Sequence, residues 1–375
     1  MYEREAIFIK RVMVIMGTRP EAIKLCPVVK ELQKREDLFE TVVASSGQHK
    51  VMLDGALKAF SVKPDLVADV MQEGQGLSDL PAQILRWCDG IFHNEHPDLV
   101  LVQGDTATAY AAGLAAFYNG IPVGHVEAGL RTYQIKSPFP EEYHRRALAL
   151  LATYHFAPTV HAKRNLEREG VPSAAIHITG NTVVDALRYT LNECRPPIQW
   201  QIPKGFRLVL FTAHRRESLG TPLCGMLKAL RRVVDAHPDV IAVFPIHHNP
   251  MVRKAANEIL CGAERIRMIK PPEFVAFHHL LSKAYLVMTD SGGIQEEAAS
   301  LGIPTLVMRY SSERAEGIRA GVLKLAGSGE EGIFTLADRL LTKDSDEYLS
   351  MRRPSSVYGD GHAASRIVDF LVKTI

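Results

Sequence analysis

The chain has 375 residues, 46% hydrophobic and 23% charged, which is a globular composition and more than one core usually holds, so two domains are expected. Lys and Arg number 44 against 42 Asp and Glu, with no long single-sign run, and nucleic acid is an unfavoured partner. No apolar segment reaches bilayer-spanning length, and Cys26, Cys88, Cys194, Cys224 and Cys261 show neither CxxC nor metal-ligand spacing. A cytoplasmic protein is expected, its thiols buried as small hydrophobes.

From Arg11 onward, apolar runs of strand length alternate with longer segments of helical period, the pattern of a parallel sheet covered on both faces. In the first half the strands are expected at 12–16, 41–44, 99–102 and 123–126. Helices are expected at 20–35, 51–60, 77–92, 106–118 and 141–154. A turn-rich stretch, GVPSAAIHITGN, marks the domain boundary, placed between residues 178 and 179. Strands then resume at 208–212, 241–244, 285–288 and 305–308. Residues 363–375 form an amphipathic helix that could close either domain. The fold class is α/β, with two Rossmann-like doubly wound domains.

Nearly every polar cluster begins where a strand ends: GTRPEAIK, SGQH, QGDT and EAGLRT in the first half, AHRRES, HHNP, SGG and RYSSER in the second. In open parallel sheets the ligand crevice lies at the carboxyl ends of the strands, so these clusters should face a common cleft between the domains. The Ser291-Gly292-Gly293 turn opens a helix that Gly302 and Pro304 stop, and a helix start with close backbone approach suits phosphate or diphosphate. On that helix Glu296 reads as a complement to the dipole. Glu297 could do the same or accept hydrogen bonds from ribose hydroxyls. Arg19 and Lys24 add cations at a helix end that is already positive, which a bare helix start does not explain and an anionic ligand does. His214, with Arg215 and Arg216, repeats that argument after another strand.

Asp105, Glu127 and Glu141 share the strand-end address, and converging carboxylates raise one another's pKa and so supply both acid and base forms. Glu141 could equally complement the dipole of its own helix, with Arg145 one turn later to orient or neutralise it. His247, His248, His278 and His279 lack the spacing of a metal site, and Phe277 reads as core. The GSGEEG at 327–332 matches a dinucleotide fingerprint but places two glutamates where pyrophosphate would lie, and is rejected.

Taken in order, GTRPEAIK, SGQHKVMLD, QGDTATA, GHVEAGLRT, SPFPEEYHRR, HFAPT, GNTVVDAL, AHRRES, HNP, TDSGGIQEEAASLGIPTLVMR and SERAEG run from Gly17 almost to the end. The chain resembles the bacterial-type, non-hydrolysing UDP-N-acetylglucosamine 2-epimerases. That resemblance implies a GT-B-like fold with the active-site cleft between two domains, 1–178 and 179–359, and a final helix, 360–375, packing back on the first. It implies reversible inversion at C2 of UDP-GlcNAc to UDP-ManNAc, by elimination of UDP to 2-acetamidoglucal and re-addition, with no cofactor and no metal, in a homodimer. Asp105, Glu127 and Glu141 then match the acid/base carboxylates, with His214 near the diphosphate. Arg19, Lys24, Arg145 and Arg314 match basic site positions. Ser291, Gly292 and Gly293 match the diphosphate loop, Glu297 the ribose acceptor, and Phe277 the uracil stack.

The chain departs from the family at Tyr133-Gln134, where Gly-Asp is usual, at His144 in place of asparagine, and at Tyr310 to Glu316. The family's second, activating site draws on the segment with Gln48 and His49 and on a basic residue in the loop reading Glu73-Gly74-Gln75. Activation by substrate is accordingly expected to be weakened or absent. Alternatives compatible with the residues are a hydrolysing relative that releases ManNAc and UDP, a GT-B glycosyltransferase, and a non-catalytic nucleotide-sugar binder. The intact carboxylate set argues against the last.

Overall fold

In a computed structural model of the chain, residues 9–48, 50–71, 74–196, 200–213, 215 and 218–375 are described, apart from the side chains of 50–52. The chain divides into two compact units: one ends at Arg188 and takes up the chain again at Gly359, and the other is Tyr189–Tyr358.

The first unit begins with β1 (Lys10–Met16), α1 (Arg19–Gln33), β2 (Phe39–Ser45), α2 (Lys50–Ala59), β3 (Leu66–Val67), α3 (Asp79–Glu95), β4 (Leu99–Gln103) and α4 (Ala107–Tyr118). It continues with β5 (Val123–Val126), α5 (Glu141–Leu151), β6 (Tyr154–Ala157), α6 (Val160–Arg168), β7 (Ile176–Ile178) and α7 (Thr182–Glu193). The seven strands form one sheet in the order β3-β2-β1-β4-β5-β6-β7, parallel at every pairing. Helices cover both faces, so a central strand has no wet side and shows no alternation: Val12, Met13, Val14, Ile15 and Met16 are all fully buried.

In the second unit β8 (Arg207–Thr212), α8 (Thr221–Ala236), β9 (Val240–Pro245), α9 (Pro250–Leu260), β10 (Ile266–Ile269), α10 (Phe274–Leu281) and β11 (Leu286–Thr289) come first. Then follow α11 (Gly292–Ser300), β12 (Thr305–Val307), α12 (Ala315–Arg319), β13 (Leu323–Leu325), α13 (Glu330–Leu341) and α14 (Asp346–Met351). Its parallel sheet has the order β10-β9-β8-β11-β12-β13. The closing helix α15 (Ala363–Thr374) belongs to the first unit, where the carboxylate of Asp185 accepts the backbone N–H groups of Ala363 and Ala364.

Several sequence expectations need correction. The helix begun at Glu141 stops at Leu151, because Ala152 is extended and Tyr154–Ala157 is a strand of the sheet. The edge strands β3, β7, β10 and β13, two to four residues long, are too short to carry a periodic signal. The chain leaves the first unit inside α7 and not at the 178/179 junction, because that helix runs through the division unbroken. Of the cysteines, Cys26 and Cys88 are buried, but Cys194 and Cys224 are only partly covered and Cys261 is exposed. Among the described residues no helix is long and apolar enough to cross a membrane.

Two histidines lie side by side in the first sheet, His125 of β5 opposite His155 of β6, both essentially inaccessible to solvent. Burial pushes their imidazoles down to about 3 and about 4, so both stay neutral in the folded chain. On unfolding, each regains an ordinary value near 6.5 and binds a proton below it. Stability from this pair is therefore present above pH 6.5 and lost as pH falls, at about 2.7 kcal/mol per pH unit while both protons are taken up. Urea unfolding at pH 6, 5.5 and 5 should show this slope, and His155→Phe should reduce it by about half; an unchanged slope would place the acid sensitivity elsewhere.

Candidate active site

In each sheet the strand order reverses once, between β1 and β4 in the first unit and between β8 and β11 in the second. Connections leave in opposite directions at such a point and open a crevice at the carboxyl ends of the two strands.

Around the first reversal, the loop after β1 enters α1 through Thr18, with Glu21 in its first turn. Glu21 is fully buried and accepts the N–H groups of Gly17 (3.0 Å) and Thr18 (2.7 Å) and the hydroxyl of Thr106 (2.6 Å). It ties the loop after β1 to the loop after β4, where Thr106 in turn caps α4 by accepting the Ala109 N–H. A side chain at Gly17 would have its Cβ 2.1 Å from Ser46 Oγ and 2.3 Å from Thr108 Oγ1, so only glycine fits where these loops meet. From α1, Lys24 reaches the carboxylate of Glu127.

Glu127 follows β5 with φ +64°, a left-handed conformation unusual for a residue with a side chain, and is 7% exposed. Lys24 and Gln103 Nε2 both donate to Oε2, and Asn181 Nδ2 donates to Oε1 at 3.0 Å. Gly104, with φ +71°, lies opposite: a Cβ there would stand 3.7 Å from Glu127 Oε2. The next residue, Asp105, is held by the Arg145 guanidinium, with Nε 3.0 Å from Oδ2. Both carboxylates thus stand at neighbouring strand ends, each with its own cation.

Glu141 starts α5 and is half-buried, whereas Glu142 is fully buried and accepts the N–H groups of Thr132 (3.1 Å) and Tyr133 (3.0 Å). Glu142 also lies 3.4 Å from Arg145, so it fixes the loop before α5 and steadies the guanidinium that holds Asp105. Sequence reasoning did not separate these adjacent glutamates. His144 approaches the Asp105 carbonyl at 3.0 Å through Nδ1, and burial lowers its pKa against the pull of Asp105. Arg19 is exposed at the start of α1. His214, His49 and Glu73 lie outside the described residues.

At the second reversal Thr212 and Thr289 join β8 to β11 through their hydroxyls, 2.6 Å apart, and Asp290 accepts the N–H of Arg215 at 3.0 Å. Ser291 then occupies the N-cap of α11 without a capping bond from its side chain. Among the described residues nothing lies within 4 Å of where a Cβ on Gly293 would be, so they leave the helix start open, while Gly292 packs against the Arg314 guanidinium. Arg314 is bonded to Glu296 and Glu313, each at 2.8 Å. Glu296, expected only to complement the helix dipole, is a buried ion-pair partner of Arg314. Burial raises the Glu313 carboxyl, but the charges of Arg314, Arg215 and Arg309 outweigh it and hold the group well below the usual carboxylate range.

Glu297 is 7% exposed, its Oε1 is 3.4 Å from His278 Nε2, and its Oε2 has no hydrogen-bond partner among the described residues. A buried acceptor left in this state fits a donor brought by a ligand. Phe277 is half-buried against the core that holds Leu210, Leu281 and Ala298. Among the described residues no group of three His, Cys, Asp or Glu side chains is placed to hold a metal ion.

Residues 30–372 match the family model for UDP-N-acetylglucosamine 2-epimerase. The chain is 48% identical over 363 residues to UDP-N-acetylglucosamine 2-epimerase of Bacillus subtilis, covering 96% of this chain and 95% of that one. It is similar to the crystal structure of UDP-GlcNAc 2-epimerase from Neisseria meningitidis bound to UDP-GlcNAc, at 40% identity and TM-score 0.90, covering 97% of this chain and all of that one. A structure of the glycotransferase of kitacinnamycin, 13% identical with TM-score 0.64 over 96% of this chain and 99% of that one, shares the fold.

The carboxylates packed on Arg314 test the second-unit site directly. Arg314→Met would leave Glu296 buried without this cation, at a cost of about 3 kcal/mol or more. Urea denaturation at pH 7.5 should show that loss; a variant as stable as the parent would mean Glu296 is not held by this pair.

Proposed function

Because the chain belongs to the UDP-N-acetylglucosamine 2-epimerase family, we propose that it interconverts UDP-GlcNAc and UDP-ManNAc without releasing free sugar. The observation that carries this reading is the pair of carboxylates, Asp105 and Glu127, each beside a cation at neighbouring strand ends.

The hydrogen on C2 of a hexose is too weakly acidic for a carboxylate to remove unaided, so the C1–oxygen bond must break as the proton leaves. The C2–H pair becomes the C1=C2 double bond of 2-acetamidoglucal, and the C1–O pair departs on the diphosphate of UDP. Return of a proton to the opposite face of C2, with the UDP oxygen adding back to C1, gives the epimer. Asp105, Glu127 and Glu141 are the candidates for taking and returning the proton, and a carboxylate held beside a lysine or arginine is ready to act as the base. Arg145 orients Asp105, and Lys24 orients Glu127.

In the second unit the diphosphate is assigned to the open start of α11 at Ser291, Gly292 and Gly293, with Arg314 behind it. The ribose hydroxyls are assigned to Glu297 Oε2, which has no partner among the described residues, and the uracil to Phe277. Arg19 and His214 are assigned to the anion from sequence position. A homodimer is part of this reading, supported by exposed Phe117 and Tyr118 on α4 and Tyr143 and Leu150 on α5. So is a cytoplasmic location, in keeping with five cysteines that are all free thiols.

Purified protein incubated with UDP-GlcNAc alone and followed by proton NMR should yield UDP-ManNAc as the sugar product. Free ManNAc with stoichiometric UDP, or no change in the sugar, would contradict the proposal.

A further inference from the structure

We propose that Asn181 is a positioning residue for this reaction, its side-chain amide fixing the carboxylate of Glu127 while its carbonyl oxygen caps α7. The proposal rests on the role given to Glu127 above. Asn181 is 1% exposed and stands in the turn between β7 and α7. Its Oδ1 accepts the N–H of Val183 at 3.1 Å, and its Nδ2 donates to Glu127 Oε1 at 3.0 Å. The amide cannot be turned over without losing both, since the helix start offers only a donor and the carboxylate only acceptors.

The bond is directed where it matters. Lys24 and Gln103 both bind Oε2, whereas Asn181 is on Oε1, the other oxygen. Among the described residues, the groups facing the carboxylate include Lys24 from α1, Gln103 at the end of β4, Asn181, and His125 on the same strand, which is neutral. With a donor on each oxygen the plane of the carboxylate is set. The turn that holds Asn181 is itself clamped. A Cβ on Gly359 would be 3.1 Å from the Asn181 nitrogen, and Arg366 donates to the Thr179 carbonyl at 3.0 Å.

The two duties separate by substitution. Asn181→Asp keeps an oxygen for the Val183 N–H, because aspartate and asparagine cap helices about equally well, but it has no donor for Glu127. Asn181→Ser also retains a cap and is too short to reach the carboxylate. The Glu127 carboxyl resonance, identified in 13C-glutamate-labelled protein by its loss in Glu127→Gln, should titrate about one pH unit or more higher in both Asn181 variants. With UDP-GlcNAc as substrate, kcat should fall about tenfold to a hundredfold, with the acid limb of its pH profile moved upward and KM little changed. Unaltered Glu127 titration and kcat in a folded variant would overturn the proposal and leave Asn181 a helix cap only. If Asn181→Asp does not fold, Asn181→Ser decides. Absence of epimerase activity in the parent protein would count against the reading of the reaction, whereas the carboxyl titration judges the Asn181–Glu127 contact independently.

Discussion

The first unit is built around a buried negative charge. A carboxylate as enclosed as Glu127 is tolerated only when paired and hydrogen-bonded, and among the described residues donors reach it from Lys24 on α1, Gln103 at the end of β4 and Asn181 before α7. These converge because the strands that present them are adjacent or nearly so in the sheet. Holding them requires Glu127 itself to take a left-handed backbone, Gly104 to take another, and Gly17 to let the loops approach. Glu21 does for the loops what Lys24 does for the charge, binding the turns after β1 and β4 into one piece. Removing the Glu127 carboxylate would take from Lys24, Gln103 and Asn181 the acceptor they share, so the arrangement is cooperative.

The second unit meets the opposite demand. Arg215, Arg309 and Arg314 gather behind the positive end of α11, and without compensation they would repel one another. Glu313 touches all three, and Glu296 binds Arg314 from the helix itself. Those carboxylates fix the guanidinium groups and leave the backbone at Gly293 uncovered. An anion arriving at α11 would meet a rigid, pre-oriented field, which is how a leaving diphosphate is best stabilised.

Much of this was legible in the sequence because parallel sheets place function at one kind of position. Apolar runs located the central strands, and the polar words that follow them, QGDT, GHVEAG and SGG, named the loops that carry the site. What could not be read was anything set by strand order or by partners distant in the chain. Glu296 reads as a mere dipole complement because Arg314, its partner, comes 18 residues later and outside the helix. Glu142 was hidden behind Glu141, since nothing local tells which of two adjacent glutamates turns inward. Asn181 and Gln103 lay in quoted motifs but drew no attention, because a neutral amide becomes informative only once the carboxylate it faces is known. The short edge strands escaped for a different reason: two to four residues cannot establish a period.

The measurement that bears most directly on the account is the fate of the hydrogen at C2. Turnover of UDP-GlcNAc in deuterated water, with no nicotinamide added, should give UDP-ManNAc carrying deuterium at C2, with deuterium also entering the recovered UDP-GlcNAc as the reaction reverses. Product that retains its original C2 hydrogen would contradict proton abstraction by these carboxylates.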